Sequence, residues 1–251
     1  MKKVNPPFYN QTYINVGRGP AVILLHGLFG NLGMWEKTVK ALKTNHNVIV
    51  PRLPIFDLPI QHTNIRYLAN VLHEFIDWNG LTDVTLVGHA IGGQVALIYT
   101  YIHPTNVDKL VLCGSTGLFE NSPFDGTTPS AINDYEFVEE KVNEAFFQPH
   151  GAPRYFVDDI YATVQSIPKR LTIGSLVRSS RQSSVALLLG RLDHPTLLLW
   201  GLEDRIAPPE TALLFHDLLQ NSEVRFIEQC GHVPMVEKPD EFNGHVLSFL
   251  T

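Results

Sequence analysis

The stretch Asp83-Val84-Thr85-Leu86-Val87-Gly88-His89-Ala90-Ile91-Gly92-Gly93 decides how the rest of the chain is read. Its first half is short, apolar and β-branched, as a strand buried on both faces requires. An apolar helix is expected from near Gly93 to Tyr101. Between them lies Gly88-x-Ala90-x-Gly92. The two glycines leave room for a turn so tight that side chains there would collide. The residue at the centre of such a turn is held in a strained backbone conformation. Alanine gains nothing from that strain, whereas a serine would gain an exposed hydroxyl at a helix N-terminus.

Working outward, strand and helix alternate. Ala21–Leu25 is a continuous apolar run of strand length, ending in His26-Gly27-Leu28-Phe29-Gly30. A helix is expected through Met34 to Leu42, a short strand at Val48–Val50, and a proline-interrupted loop over Pro51–Pro59. Ile65, Leu68, Ala69, Leu72, Phe75 and Ile76 recur at helical spacing, predicting a helix from Ile65 to Trp78. Leu110–Gly114 is another buried strand, and Gln11–Val16 alternates like an antiparallel edge strand. Such alternation implies right-handed crossovers and a mostly parallel sheet.

From 118 to 190 the pattern changes to helices without a strand. A Pro-, Gly-, Ser- and Thr-rich linker over Asn121–Ser130 leads into helical segments at Asp134–Phe147, Tyr155–Ser166, from Lys169 to Leu176 or beyond, and Ser184–Leu189. We expect a helical cap at 118–190, inserted into a core made of 1–117 and 191–251. Acids crowd its first half, and Lys169, Arg170, Arg178, Arg181 and Arg191 its second. The sheet pattern resumes with Thr196–Gly201, a helix from Pro209 to Leu219, a strand at Val224–Ile227 and a closing helix at Pro239–Leu250.

Composition bounds the function. The chain has 251 residues, 44% of them hydrophobic, and a formal charge of -6. The charge argues against general nucleic-acid binding. No apolar run has the length of a membrane span. Asn5-Pro6-Pro7 stands where a secretory signal would need an apolar segment, so a cytoplasmic protein is expected. Cys113 and Cys230 lack metal-ligand spacing and are expected to be buried thiols. No metal, and no organic cofactor, is implied.

Candidate residues lie at four expected strand ends, where sites of open α/β sheets gather. Ala90 is at the turn. The backbone N–H groups of Leu28 and Ile91 are candidates for an oxyanion hole. Asp204, in Trp200-Gly201-Leu202-Glu203-Asp204, is placed to orient an imidazole, with Glu203 as the rival acid. His232, in Cys230-Gly231-His232-Val233-Pro234, is the candidate general base. Each has a plainer reading: a strand-ending turn for the His26-Gly27 loop, a helix cap for Asp204, a surface ring for a histidine. Turn, then acid, then histidine is the chain order of one class of catalytic triad. His150, His194, His216 and His245 are read as surface residues.

With these residues in hand, the chain resembles the α/β-hydrolase superfamily over nearly its full length. The matching stretches are LLHGLFGN (24–31), DVTLVGHAIGGQVAL (83–97), PTLLLWGLEDRIAP (195–208) and CGHVPMVEKPDEF (230–242). It is similar to the branch holding small carboxylesterases, carrier-protein methyl ester esterases and C–C hydrolases. The resemblance implies an α/β-hydrolase fold, a mostly parallel sheet flanked by helices with a helical cap. It also implies a Ser–His–Asp hydrolase with its nucleophile at position 90, acid Asp204 and base His232. The departure is Ala90. C–C hydrolases tend to carry tryptophan after the catalytic histidine; Val233 stands here, so a carboxylic ester is the expected small-molecule substrate.

The alanine has three readings: replacement of serine by design, a natural pseudoenzyme that binds a ligand, or a lyase or isomerase using His232 as base without a nucleophile. The first is favoured, because a chain long freed of its serine would be free to lose Asp204 and His232 too. The protein as written is then an inactive hydrolase. Phe29, Phe146, Phe147 and Tyr155 are the candidates to line an acyl pocket. The basic half of the cap is a candidate surface for an acyl carrier protein or acyl-CoA.

Overall fold

A computed structural model describes residues 13–121, 124 and 128–251. Gln11 and Thr12 of the expected edge strand, the N-terminal stretch around Asn5-Pro6-Pro7 and half of the Asn121–Ser130 linker lie outside these residues. Seven strands form one sheet: β1 (Ile14–Val16), β2 (Ala21–Leu25), β3 (Asn47–Val50), β4 (Val84–His89), β5 (Val107–Cys113), β6 (Thr196–Gly201) and β7 (Ser222–Ile227). Their spatial order is β1-β3-β2-β4-β5-β6-β7. Only β1 is antiparallel to its neighbour; the pairings from β3 through β7 are parallel.

That order places the site. The chain leaves β2 toward β3 on one side, then returns to lay β4 on the other. The loops leaving β2 and β4 therefore diverge and open a crevice at their carboxyl ends. Leu25 pairs with Gly88 at this end, so the His26-Gly27 loop lies beside the turn at Ala90.

The helices are α1 (Glu36–Leu42, entered through a 3-10 turn at Leu32–Trp35), α2 (Ile65–Trp78), α3 (Ile91–Ile102), α4 (Pro129–Ile132), α5 (Tyr135–Asn143), α6 (Arg154–Gln165), α7 (Ile167–Gln182), α8 (Ala186–Leu189), α9 (Pro209–Leu218), α10 (Pro234–Glu237) and α11 (Pro239–Leu250). α2 shows why the pattern is legible. Asn64 caps it by accepting the Tyr67 N–H at 2.9 Å. Its apolar stripe is buried, worth roughly 1.5–3 kcal/mol for each large side chain. It ends where Gly80 takes φ +62, while the Leu81 N–H donates to Ile76 O and the Gly80 N–H to Asp77 O.

Side chains along the strands alternate between two apolar clusters, one on each face. Ile23, Leu25, Leu86, Leu110, Leu112, Leu198 and Trp200 belong to the first. Val22, Leu24, Val87, Val111, Cys113, Leu197 and Leu199 belong to the second. Two-sided burial is why these strands read as unbroken apolar runs.

Between β5 and β6 the described residues hold α4 to α8 and no strand. α5 stops at Asn143, short of the expected Phe147, and α7 runs to Gln182. α4 begins at Pro129, inside the expected linker. α3 starts at Ile91, two residues before the expected Gly93, because Gly92 and Gly93 serve packing rather than breaking the helix.

Candidate active site

Ala90 stands alone between β4 and α3 with φ 50 and ψ -119. An L-residue there is strained by on the order of 1–3 kcal/mol. Both flanking glycines are required by contact. A Cβ on Gly88 would lie 2.4 Å from the Gly93 Cα, and one on Gly92 the same distance from Leu25 O. The turn is held from outside: the Ala90 N–H donates to Cys113 O at 3.0 Å, and the Thr116 N–H to Ala90 O at 3.2 Å.

Asp204 and His232 meet from the loops after β6 and β7. The His232 Nδ1–H donates to Asp204 Oδ2 at 2.8 Å, and both residues are buried. The other carboxylate oxygen accepts the backbone N–H groups of Ile206 at 2.8 Å and Ala207 at 2.9 Å. The acid is thus both a loop cap and the imidazole's partner. The rival Glu203 instead accepts the Cys230 N–H at 2.9 Å and secures the base of the histidine loop.

That loop is fixed at four more points. The His232 N–H donates to Ala145 O at 2.8 Å. Glu237 accepts from Gly231 N at 2.9 Å and Phe147 N at 2.8 Å. Burial pushes the Glu237 carboxyl up, and the backbone donors oppose that. His89 Nε2–H donates to the His232 carbonyl at 2.9 Å, with the two rings 4.7 Å apart. Burial, together with the nearby His232, holds His89 well below the usual histidine range, so it stays neutral. Glu237 and His89 are absent from the sequence reading. An acid closing the apolar run Val233-Pro234-Met235-Val236 is the one signal that marks Glu237.

The β2 loop is pinned in the same manner. His26 Nδ1–H donates to Gly27 O at 2.8 Å, and its Nε2 accepts the Leu53 N–H at 2.9 Å. Burial lowers its pKa to about 4. Beyond the turn, Gln94 donates to the carbonyls of Ser180 and Ser183. It also accepts the hydroxyls of Thr116 and Ser180. These bonds tie α7 to the helix that starts at the turn.

A cavity of about 130 Å³ joins these parts, and Leu28, Phe29, Ala90, Ile91 and His232 are all on its wall. Ile91 opens α3, so its N–H has no acceptor within the helix. Of the expected acyl-pocket residues only Phe29 lines the cavity. Phe146 is buried in the second apolar cluster, packed edge-on to Phe156. Phe147 is half-buried, its N–H committed to Glu237. Tyr155 is 53% exposed. The reason is helical phase: α6 buries Val157, Ile160 and Val164, a stripe that turns Tyr155 outward. The lining aromatics the sequence reading missed are Phe124 and Phe156.

Cys113 and Cys230 are both buried free thiols. His194 is not a surface ring: its side chain is only 10% exposed, and its Nε2–H donates to Pro104 O. Among the described residues, no cluster of His, Cys, Asp or Glu could hold a metal, and no helix is long and apolar enough to cross a membrane.

Known proteins are similar to this chain in sequence and fold. A family model of the alpha/beta hydrolase fold matches residues 20–165 and 145–239. The chain is 29% identical to the 2-hydroxy-6-oxo-6-(2'-aminophenyl)hexa-2,4-dienoic acid hydrolase of Metapseudomonas resinovorans, over 99% of this chain and 90% of the relative. It is 27% identical to Lipase 1 of Psychrobacter immobilis, over 92% of this chain and 77% of the lipase. Among solved structures, the alpha/beta hydrolase MGS-MChE2 from the sediment metagenome of the Mar Chica lagoon, Morocco, is 28% identical with a TM-score of 0.77, covering 94% of this chain and 93% of its own. A bacterial membrane phospholipase A is 27% identical with a TM-score of 0.84, covering 95% and 81%. With its elbow turn, its sheet order and its strand-end loops all in place, the chain belongs to the alpha/beta hydrolase fold family.

Proposed function

We propose that this chain is a carboxylic-ester hydrolase in which position 90 is the nucleophile's place and carries alanine. The observation that supports this most is the Asp204–His232 bond at 2.8 Å, with His232 and Ala90 on the wall of one cavity. A chain long released from catalysis would not keep a buried acid, its imidazole partner and the clamps around them. Helices α4 to α8, within 118–190, act as the cap that closes the acyl pocket.

The parent reaction is a two-step acyl transfer. The His232 Nδ1–H donates a hydrogen bond to Asp204 and keeps its proton, which leaves Nε2 as the basic nitrogen. It takes the proton of a serine at position 90 as that oxygen attacks the ester carbonyl. The Leu28 and Ile91 N–H groups hold the oxyanion, and His232 then protonates the leaving alcohol. Water repeats the sequence and frees the acid. Phe29, Phe124, Phe156 and Ile160 surround the acyl chain. With alanine the pocket and base remain, so an ester binds without acyl transfer.

The test is Ala90→Ser assayed with p-nitrophenyl esters. Deleting such a nucleophile costs on the order of 10⁶ in kcat, so the serine form is expected to show a burst and turnover that the alanine form lacks. An alanine form as active as the serine form would mean nucleophile-free chemistry. Ligand-induced thermal stabilisation of the alanine form, with no turnover from the serine form, would mean a binding protein.

A further inference from the structure

The cavity beside the elbow turn has a mostly apolar wall, yet Thr116, Glu120 and Ser180 make one polar corner of it. The corner begins at the turn itself. The Thr116 N–H holds Ala90 O, and the Thr116 hydroxyl donates to Gln94 Oε1 at 3.0 Å. Both hydrogens of the Gln94 amide go to the carbonyls of Ser180 and Ser183, so its oxygen is the atom that faces the hydroxyls. The Ser180 hydroxyl lies 2.7 Å from that oxygen and 2.9 Å from Glu120 Oε1.

The donors do not go round. A hydroxyl carries one hydrogen, whereas a carboxylate offers about four acceptor sites. Ser180 therefore divides a single hydrogen between Gln94 and Glu120. Among the described residues, the other donor to reach Glu120 is the Gly117 N–H, 3.4 Å from Oε2, beyond the usual range of about 2.7–3.2 Å. Glu120 is half-buried, and acceptor sites turned from water and left without a donor are costly. A purely apolar ligand would leave them so. Lys141 lines the same cavity, but its ammonium is bound to Glu144 and lies 5.8 Å from the centre of the Phe137 ring. Near the carboxylate in the chain stands Phe124, whose ring meets Phe29 edge to face at 5.9 Å on the cavity wall. Aromatic faces attract cations.

We propose that the cavity takes an acyl chain ending in a primary ammonium, and that Glu120 is the residue that selects it. The reacting carbonyl sits at Ala90, the methylenes pass Phe29 and Phe124, and the ammonium brings three N–H donors to a carboxylate short of them. This rests on the ester reading above and narrows it to ω-aminoacyl esters.

The test is calorimetric binding to the chain as it stands, where alanine prevents turnover. Methyl esters of straight-chain ω-amino acids are compared with methyl esters of fatty acids having the same number of chain atoms. The best amino ester is expected to bind at least about tenfold tighter than its alkyl counterpart, the scale of one charge-assisted hydrogen bond. Glu120→Gln keeps the size of the side chain and abolishes that preference. The N-acetyl derivative of the same amino ester keeps an N–H without the charge, and in the unaltered protein it falls back to the alkyl level. That comparison covers the case of a variant that fails to fold. Equal affinity for amino and alkyl esters, a preference that survives Glu120→Gln, an N-acetyl ester that binds as tightly as the amine, or no ester binding overturns the proposal. An Ala90→Ser form that hydrolyses alkyl esters while amino esters gain nothing sinks the ammonium site and leaves the hydrolase reading standing. Amino esters that bind preferentially through Glu120, yet are not turned over by the serine form, leave the site standing and sink the hydrolase reading.

Discussion

Gly114 and Gly80 offer a matched pair that measures how firmly the imidazole is seated. Both hold positive φ, +51 and +62. An alanine at either pays the same kind of backbone strain, roughly 1–2 kcal/mol, less the same unfolded-state entropy gain of about 0.4–1 kcal/mol. They differ in what the new methyl meets. At Gly80 it meets nothing within 4 Å, whereas at Gly114 it would lie 2.8 Å from His232 Nδ1, 2.9 Å from Cε1 and 3.2 Å from Asp204 Oδ2. The ring must move, and its bond to Asp204 lengthens or breaks. A hydrogen bond to a charged group is worth about 1.5–3 kcal/mol. Gly80→Ala is therefore expected to cost about 1 kcal/mol, and Gly114→Ala about 2 kcal/mol more. Urea unfolding at neutral pH gives both numbers, and the NMR signal of the His232 Nδ1–H reports the bond directly. Equal costs within about 0.5 kcal/mol, with that signal unshifted in Gly114→Ala, would refute the claim that Gly114 is the floor on which the imidazole rests.

Other expectations concern the clamps around the site. His26 titrates at about 4 in the folded protein against about 6.5 unfolded. The unfolded state therefore binds the proton first, and stability falls as pH drops from about 6.5 through 4. The loss from this residue is on the order of 3 kcal/mol; His89 is lowered too and adds to it. In His26→Asn the fall in urea midpoint over that window is expected to shrink, and an unchanged fall would contradict the assignment. Glu237→Gln places an amide N–H₂ against a backbone donor that the carboxylate now accepts. It is expected to cost about 1–3 kcal/mol and to lower the burst of the Ala90→Ser protein, because the His232 loop loses its anchor. Full activity in the combined variant would show that the loop holds itself.

Some elements were readable because one local rule determined them. α2, β6 and α11 end where the sequence reading ends them, since an amphipathic stripe with a cap, or an unbroken apolar run, states its own limits. α4 and α10 span four residues each, too few for any periodicity. Phe146, Phe147 and Tyr155, expected at an acyl pocket, lie off the cavity wall for a different reason. Which of Tyr155 and Phe156 faces the cavity depends on the phase of α6 against its neighbours, and composition carries no phase.

The chain by itself determined the alternation of strands and helices, the turn around Ala90, and the order in which Ala90, Asp204 and His232 follow their strands. These are local matters of hydrophobic period and tight-turn chemistry. Only the tertiary structure decided that Asp204 rather than Glu203 meets the imidazole, that Glu237 and His89 hold the loop beneath it, and that Glu120 shares the Ser180 hydroxyl with Gln94 at the cavity wall. Those facts depend on contacts between segments far apart along the chain, and they arise only when the crossing between β2, β3 and β4 brings the carboxyl ends of the strands to one edge.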